Sequence, residues 1–190
     1  MSTQEAAIDS LFERFEGLSG IVERIAEIDV LWGIGGSAAL FVSGHKRFPH
    51  DVDIILTTEG HDRLDALFRI RSERVETPAE EARKSLPGAD GSVSFLSDYT
   101  IKVGDRRYLY ELTPEMIKRR DSRFGPVHVL RPEVVVIAKA LLQRPGEHKQ
   151  DLQDVLEVAK ARPLDSAYVS ELARRLGASD IVKKVLKLVA

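Results

Sequence analysis

LWGIGGSAALFVSGHKRFPHDVDIIL, residues Leu31–Leu56, is the stretch whose reading decides the fold. An apolar lead-in, Val30 to Trp32, meets a turn at Gly35, Gly36 and Ser37, and a short helix-like run follows. Asp51 and Asp53 then introduce a second apolar strand, Ile54 to Leu56. In an extended chain residues i and i+2 project from one face, so the spacing puts both carboxylates together and leaves Val52 and Ile54 to anchor the core. Two like charges that close need a cation to stay ionised. Magnesium suits them: it is hard, prefers oxygen, and is usually held by a few carboxylates plus substrate phosphates. Gly35 and Gly36 permit unusual backbone angles and close approach of a ligand. Ser37 opens the following helix, whose free amides and dipole favour a triphosphate. A bare D-x-D reads as a solvated strand-end pair. The strand-GGS-helix unit just before it turns the reading towards a phosphate and metal site.

The bulk numbers narrow the setting. The chain has 190 residues, 43% hydrophobic and 31% charged, the profile of a folded protein rather than a disordered one. That length fits one domain, or a domain with a helical appendage. A formal net charge of -2 excludes wholesale coating of nucleic acid and leaves local basic patches as the route to RNA. With no cysteine, neither a disulfide nor cysteine-ligated zinc is available. The opening MSTQEAAIDS lacks the features of a signal peptide, and no apolar run approaches the ~20 residues of a membrane span. A cytosolic protein without a membrane partner is expected.

Around the central stretch, Ile8, Leu11, Phe12, Phe15 and Leu18 recur at helical spacing, and Ile21, Ile25 and Ile28 mark a second helix. Another helix is predicted from His61 to Ile70, and the Pro-, Gly- and charge-rich Thr77–Gly91 reads as a loop. Strands follow at Val93–Leu96, Tyr99–Val103 and Arg107–Leu112, with Gly104-Asp105 as a hairpin signal, and again at Val127–Leu130. Pro132 opens a helix to about Gln143, broken by Pro145-Gly146. Helices at Glu147–Lys160, Asp165–Leu176 and Asp180–Leu188 close the chain, with Asp165 and Ser179 as N-caps and Gly177 as a stop. The whole predicts a mixed α/β (α+β) fold. A small mixed β-sheet core with flanking helices occupies residues 1–130, and a helical C-terminal part, 131–190, packs on it as one compact unit.

Beyond the turn and the carboxylate pair a few residues carry chemistry. Glu111 is a charge at the end of the apolar strand RRYLYEL, either an exposed strand-end glutamate or a third carboxylate for the metal pair, with Asp98 as the substitute. Lys139 is the interior charge of PEVVVIAKALLQ, which is apolar almost all round, and burial obliges it to find a partner. Asp151 and Asp154 on the next helix supply one. A Lys139–Asp154 pair then either fixes the helix hairpin or sets Lys139 near nucleotide phosphates. The basic run Lys118, Arg119, Arg120 and Arg123 reads as a solvated helix face, with contact to RNA or phosphate as the rarer outcome. His45, Lys46, Arg47 and His50 stand close enough to the carboxylates in sequence to approach substrate phosphates. His128, in a strand, reads as structural.

GGSAALFVSGHKRFPHDVDIIL resembles the signature of the DNA polymerase β-like nucleotidyltransferase superfamily, a GG[ST] turn followed by a D-x-D strand. YLYEL, VVVIAKALLQR and KQDLQDVLEV extend the resemblance to the AbiEii/MenT branch of nucleotidyltransferase toxins, with Ala140 after the lysine where the branch has leucine. The resemblance implies a nucleotidyltransferase core and transfer of a nucleotide from a triphosphate such as ATP to an acceptor hydroxyl. Gly35, Gly36 and Ser37 would take the phosphates, and Asp51 and Asp53, with Glu111 as third carboxylate, would bind magnesium or manganese. Asp53 and Glu111 would also count as catalytic, beside Lys139 and Asp154, which fall on the catalytic lysine and second aspartate of the branch. It further implies tRNA as acceptor and a cognate antitoxin as partner. A small-molecule enzyme of the aminoglycoside-modifying type, or a non-catalytic nucleotide-binding module, is the alternative.

Overall fold

The computed structural model describes residues 3–68, 71–76, 79–85, 93–103, 105–142 and 148–187. Helices α1 (Thr3–Arg14) and α2 (Leu18–Ala26) come first and turn apolar stripes inward: Ile8, Leu11 and Phe12 from one, Leu18, Ile21, Val22 and Ile25 from the other. The decisive stretch then gives β1 (Trp32–Ile34), α3 (Gly36–Val42) and β2 (Val52–Leu56). Ala38 and Ala39 are fully buried, so their small side chains let α3 approach its neighbours closely. Next stand α4 (Thr58–Leu67), β3 (Arg71–Glu76), β4 (Ala79–Ser85), β5 (Val93–Val103) and β6 (Arg106–Tyr110). A 3-10 turn at Pro114–Met116 leads into β7 (Ile117–Ser122) and β8 (Gly125–Leu130). The chain ends in α5 (Pro132–Leu141), α6 (His148–Ala161), α7 (Ser166–Arg175) and α8 (Ser179–Lys187).

The strands form one mixed sheet in the order β3-β4-β5-β2-β1-β8-β7, with β6 pairing β5. β1 is antiparallel to β2 and parallel to β8, and β2 is parallel to β5. Those directions bring the C-terminal ends of β1 and β8 and the N-terminal ends of β2 and β5 to one end of the sheet. The GGS turn and the carboxylates lie there.

Expectations change around β4 and β5. Residues 79–85 lie in a stretch that reads as a loop, yet they form β4, paired antiparallel with β3 and β5. The ladder is carried by backbone hydrogen bonds, to which the charge-rich composition of AEEARKS gives no clue. The rest of that predicted loop, 77–78 and 86–91, lies outside the described residues. The two strands expected at Val93–Leu96 and Tyr99–Val103 are one strand, β5. Gly104 of the hairpin signal and the Pro145-Gly146 break lie outside the described residues, although β5 and β6 do pair from Val103 and Arg106 onward.

α5 is buried almost all round, as its composition requires. Fully burying each Val, Ile or Leu of such a helix contributes about 1.5–3 kcal/mol. It packs against α3 and β5 on one side and α6, α7 and α8 on the other, and the Tyr110 hydroxyl donates to the Val134 carbonyl at 2.5 Å. Asp165 caps α7 by accepting from the Tyr168 amide at 3.0 Å. Gly177, with φ of 67°, ends that helix.

Candidate functional site

The turn and the carboxylate strand are built against each other. The Gly35 amide donates to the Asp53 carbonyl at 2.8 Å, continuing the β1–β2 ladder by one step. Gly36 adopts φ of 55°, a left-handed conformation that costs an ordinary L-residue energy. A Cβ there would stand 2.5 Å from Asp53 Oδ2, so the carboxylate occupies the space that the missing side chain leaves. A Cβ on Gly35 would stand 2.7 Å from the Ile55 side chain. Both glycines are therefore fixed by close packing of β2 and not by turn geometry alone. The cap residue of α3, Gly35, supplies no side-chain hydrogen bond to the first-turn amides. The helix is only two turns long, and its contribution to an anion rests on those amides more than on a dipole.

β2 alternates as expected. Val52, Ile54 and Leu56 are buried, and Asp53 and Ile55 are half-buried. Asp51 immediately precedes the strand and is exposed. Among the described residues no group of three or more histidine, cysteine, aspartate or glutamate side chains is arranged to hold a metal. Two carboxylates beside a turn suit an ion that completes its shell with substrate phosphates, which is how magnesium is usually held, rather than a closed protein cage.

Glu111 does not join this pair. β6 ends at Tyr110, which pairs with Tyr99, whereas Asp53 pairs with Ser94 of the same β5 strand. The register therefore sets Glu111 beside Asp98, four residues along β5 from Ser94, about 13 Å at the usual rise per residue. It is exposed, on the strand side where Leu109 is 54% exposed, while Tyr108 and Tyr110 fill the core. Alternation in the sequence separates these two sides but carries no information on which half of β5 the strand meets.

Lys139 does find its partners. Its Nζ lies 2.6 Å from Asp151 Oδ1 and 2.9 Å from Asp154 Oδ2, and the lysine is 7% exposed. Asp154 also takes the Arg47 guanidinium at 3.1 Å and the Gln150 amide at 2.9 Å, and its Oδ1 is 3.4 Å from His45 Nε2. Burial pushes the Asp154 carboxyl up. The hydrogen bonds from Gln150 and Lys139, with the charges of Lys139 and Arg47, outweigh that and hold it below its ordinary value. Arg47 and His45 thus face α6 rather than standing free for phosphates. Their partners lie more than a hundred positions away in the chain, and no local pattern announces them.

Glu133 is a second buried charge of α5, missed because it sits in the first turn. It accepts from the Asp165 amide at 3.1 Å and faces Arg131, whose guanidinium stacks 3.7 Å from the Tyr168 ring centroid. That cluster braces α7 on the end of β8. Lys118, Arg119 and Arg120 lie on β7, an edge strand, and Arg123 in the turn after it, none of them on a helix. Arg123 pairs with Glu13, whereas Lys118, Arg119 and Arg120 form no ion pair among the described residues. His128 is held below its ordinary value by burial and then by the charge of Arg119, in keeping with a structural strand histidine. Its ring packs 5.0 Å from that of Trp32.

By sequence, no family model and no curated protein matches the chain. Solved structures do. A candidate nucleotidyltransferase from Thermotoga maritima superposes with a TM-score of 0.55 at 18% identity, covering 70% of this chain and 86% of that one. The antibiotic-resistance factor ANT(2'')-Ia, in complex with adenylyl-2''-tobramycin, superposes with a TM-score of 0.54 at 12% identity, covering 84% and 97%. At such identity the likeness speaks for the fold alone. The chain has a nucleotidyltransferase-like α/β fold, and no helix among the described residues is long and apolar enough to cross a membrane.

Proposed function

We propose that this protein is a magnesium-dependent nucleotidyltransferase that moves a nucleotide from a nucleoside triphosphate to an acceptor hydroxyl. The observation that carries the reading is the packing of the Asp53 carboxylate onto Gly36. It supports the reading because the GGS turn, as phosphate site, and the Asp53 carboxylate, as metal ligand, would then act side by side. Gly35, Gly36 and Ser37 would receive the triphosphate on backbone amides, and Asp51 and Asp53 would hold the ion. Magnesium, or manganese, supplies charge neutralisation between phosphate oxygens when bound. The acceptor oxygen attacks the α-phosphorus as the bond to the bridging oxygen breaks and pyrophosphate leaves. In this reading a carboxylate of the pair, Asp53 on β2 against the turn, takes the acceptor proton. Lys139 and Asp154 support the site through Arg47, which leads into the carboxylate strand.

For the acceptor we favour RNA, tRNA in particular, with the protein acting as a toxin that an antitoxin partner restrains. Electrostatics supports a polyanion. Lys118, Arg119 and Arg120 lie on β7, and Lys118 is in register with Val129, itself the partner of Ile34 just before the turn. Two strand spacings, about 10 Å, separate β7 from β1. Cations at that range, with no ion pair among the described residues, would attract phosphates and repel a polycationic aminoglycoside. The test is incubation with labelled triphosphates, magnesium and either total RNA or aminoglycosides. Label on RNA, lost in Asp53→Ala, is expected; label on the drug would select the small-molecule alternative. Transfer that survives Asp53→Ala would sink the assignment of the site. Growth arrest on expression, also lost in Asp53→Ala, tests the toxin role.

A further inference from the structure

The connection between α3 and β2, residues 43–51, has no regular secondary structure, yet it delivers Asp51 and Asp53 to the GGS turn. Something must hold it. His45 Nδ1 accepts from the Arg47 amide at 3.1 Å, and the other ring nitrogen, Nε2, is turned towards α6. That nitrogen lies 3.1 Å from Glu157 Oε2 and 3.4 Å from Asp154 Oδ1, within ion-pair range of both. Two residues on, Arg47 Nη2 reaches both oxygens of Asp154, at 3.1 and 3.3 Å. Phe48 packs on Phe41 and Phe15, with ring centroids 4.9 and 6.0 Å away. The connection is therefore held at three side chains: Arg47 by hydrogen bonds to α6, His45 beside the carboxylates of α6, and Phe48 against Phe41 and Phe15.

Asp154 is the common point. It is 1% exposed, and its oxygens are taken by Arg47, Gln150 and Lys139 with His45 alongside. A carboxylate so enclosed is placed to hold other groups rather than to meet a substrate. We infer that Asp154 is a positioning residue: with Arg47 and His45 it clamps the 43–51 connection to α6, and so sets the carboxylate pair against the turn. This rests on the nucleotidyltransferase reading only for its catalytic consequence, not for the clamp itself.

The test uses variants at the rim of the cluster, where the side chains of Arg47 and Glu157 are 40% and 41% exposed and substitution should spare the fold. Amide hydrogen exchange of the full chain is followed by peptide. In Arg47→Met, exchange across 43–51 should rise at least tenfold while peptides of α1 and β8 are unchanged. Arg47→Lys should restore much of the protection, because an ammonium still reaches Asp154. Glu157→Gln should have a smaller effect of the same pattern. In labelled-triphosphate transfer, the magnesium concentration for half-maximal rate should rise several-fold in Arg47→Met and fall back in Arg47→Lys. Unchanged exchange in 43–51 overturns the clamp, and so does acceleration spread evenly over the sheet in Glu157→Gln. Local loss of protection in Arg47→Met, together with no transfer by the wild-type protein, upholds the clamp and sinks the nucleotidyltransferase reading instead.

Discussion

Replacing Lys139 by methionine is the sharpest perturbation of the buried cluster. The stem of the side chain is kept and the charge is removed. Asp151 and Asp154 are each 1% exposed and receive the lysine at 2.6 and 2.9 Å. Taking one partner from a buried ion pair costs about 3–5 kcal/mol, because the other charge stays buried and uncompensated. Arg47 and Gln150 remain on Asp154, which places the expected loss near the lower end, ~3 kcal/mol. For a protein of this size that is a fall in Tm of about 6–12 °C. The pH dependence adds a second check. Asp154 is held below its ordinary value in the fold, so its stabilisation is fully present above pH ~4, its unfolded range, and is lost as pH falls through the lower folded value. Lys139→Met removes part of that depression. The difference in stability between wild type and variant should therefore be largest near neutral pH and shrink below pH ~4. Urea unfolding from pH 7 to pH 3 measures it. A loss below ~1 kcal/mol at pH 7, the size of an exposed pair, would refute the burial argument. So would a difference that stays constant to pH 3.

Gly36→Ala forces a Cβ into a left-handed residue and against Asp53 Oδ2, so a backbone cost of about 1–2 kcal/mol should come with displacement of the carboxylate. Thermal unfolding should show a modest fall in Tm, and calorimetry with triphosphate and magnesium a loss of binding; binding kept intact would refute the contact. Glu111→Gln should leave magnesium-dependent transfer within about twofold, since substitutions away from the reacting groups are usually nearly neutral. Abolished transfer would mean that the carboxylate reaches the pair despite its register. Reversing Lys118, Arg119 and Arg120 to glutamate should weaken RNA binding and flatten its salt dependence by about 2–3 in log-log slope. An unchanged slope would remove β7 from the acceptor surface.

The central stretch was legible because local geometry and chemistry coincide in it. A period of two gave β2 with Val52 and Ile54 inward, and the GGS turn lay directly against Asp53. Lys139 was legible for a related reason: one charge in a helix of valines and alanines has to be paired, and Asp154 was close in sequence. Asp151 shares the lysine as well, because i and i+3 lie on one helix face. Glu111 misled because alternation assigns a face but not a neighbour. Its place is set by β6 pairing the second half of β5, a choice made by tertiary packing of Tyr108 and Tyr110. β4 escaped notice since it carries AEEARKS, where backbone pairing rather than apolar pattern makes the strand. The basic run reads as a helix face because compact charge is common there, while the β7–β8 hairpin turns beside Gly125 with φ of 102°, a signal outside the run itself.

The charge cluster at Asp154 raises the question of why an apolar contact does not join α6 to the connection. Apolar side chains of similar volume would hold the two together at least as strongly, since buried charges are costly to desolvate. They would not fix one arrangement. Asp154 is satisfied only when Lys139, from α5, and Arg47, from the connection, meet it together at 2.9 and 3.1 Å. Sliding the connection by a residue would leave a buried carboxylate and a guanidinium unmatched, a penalty that an apolar patch does not impose. The position of Asp53 is then set twice, by the β1–β2 ladder at Gly35 and by α6 through Arg47. Under the proposed function, substitutions in α6 which spare stability should still raise the magnesium concentration for half-maximal transfer, although no residue of that helix lies in the carboxylate pair.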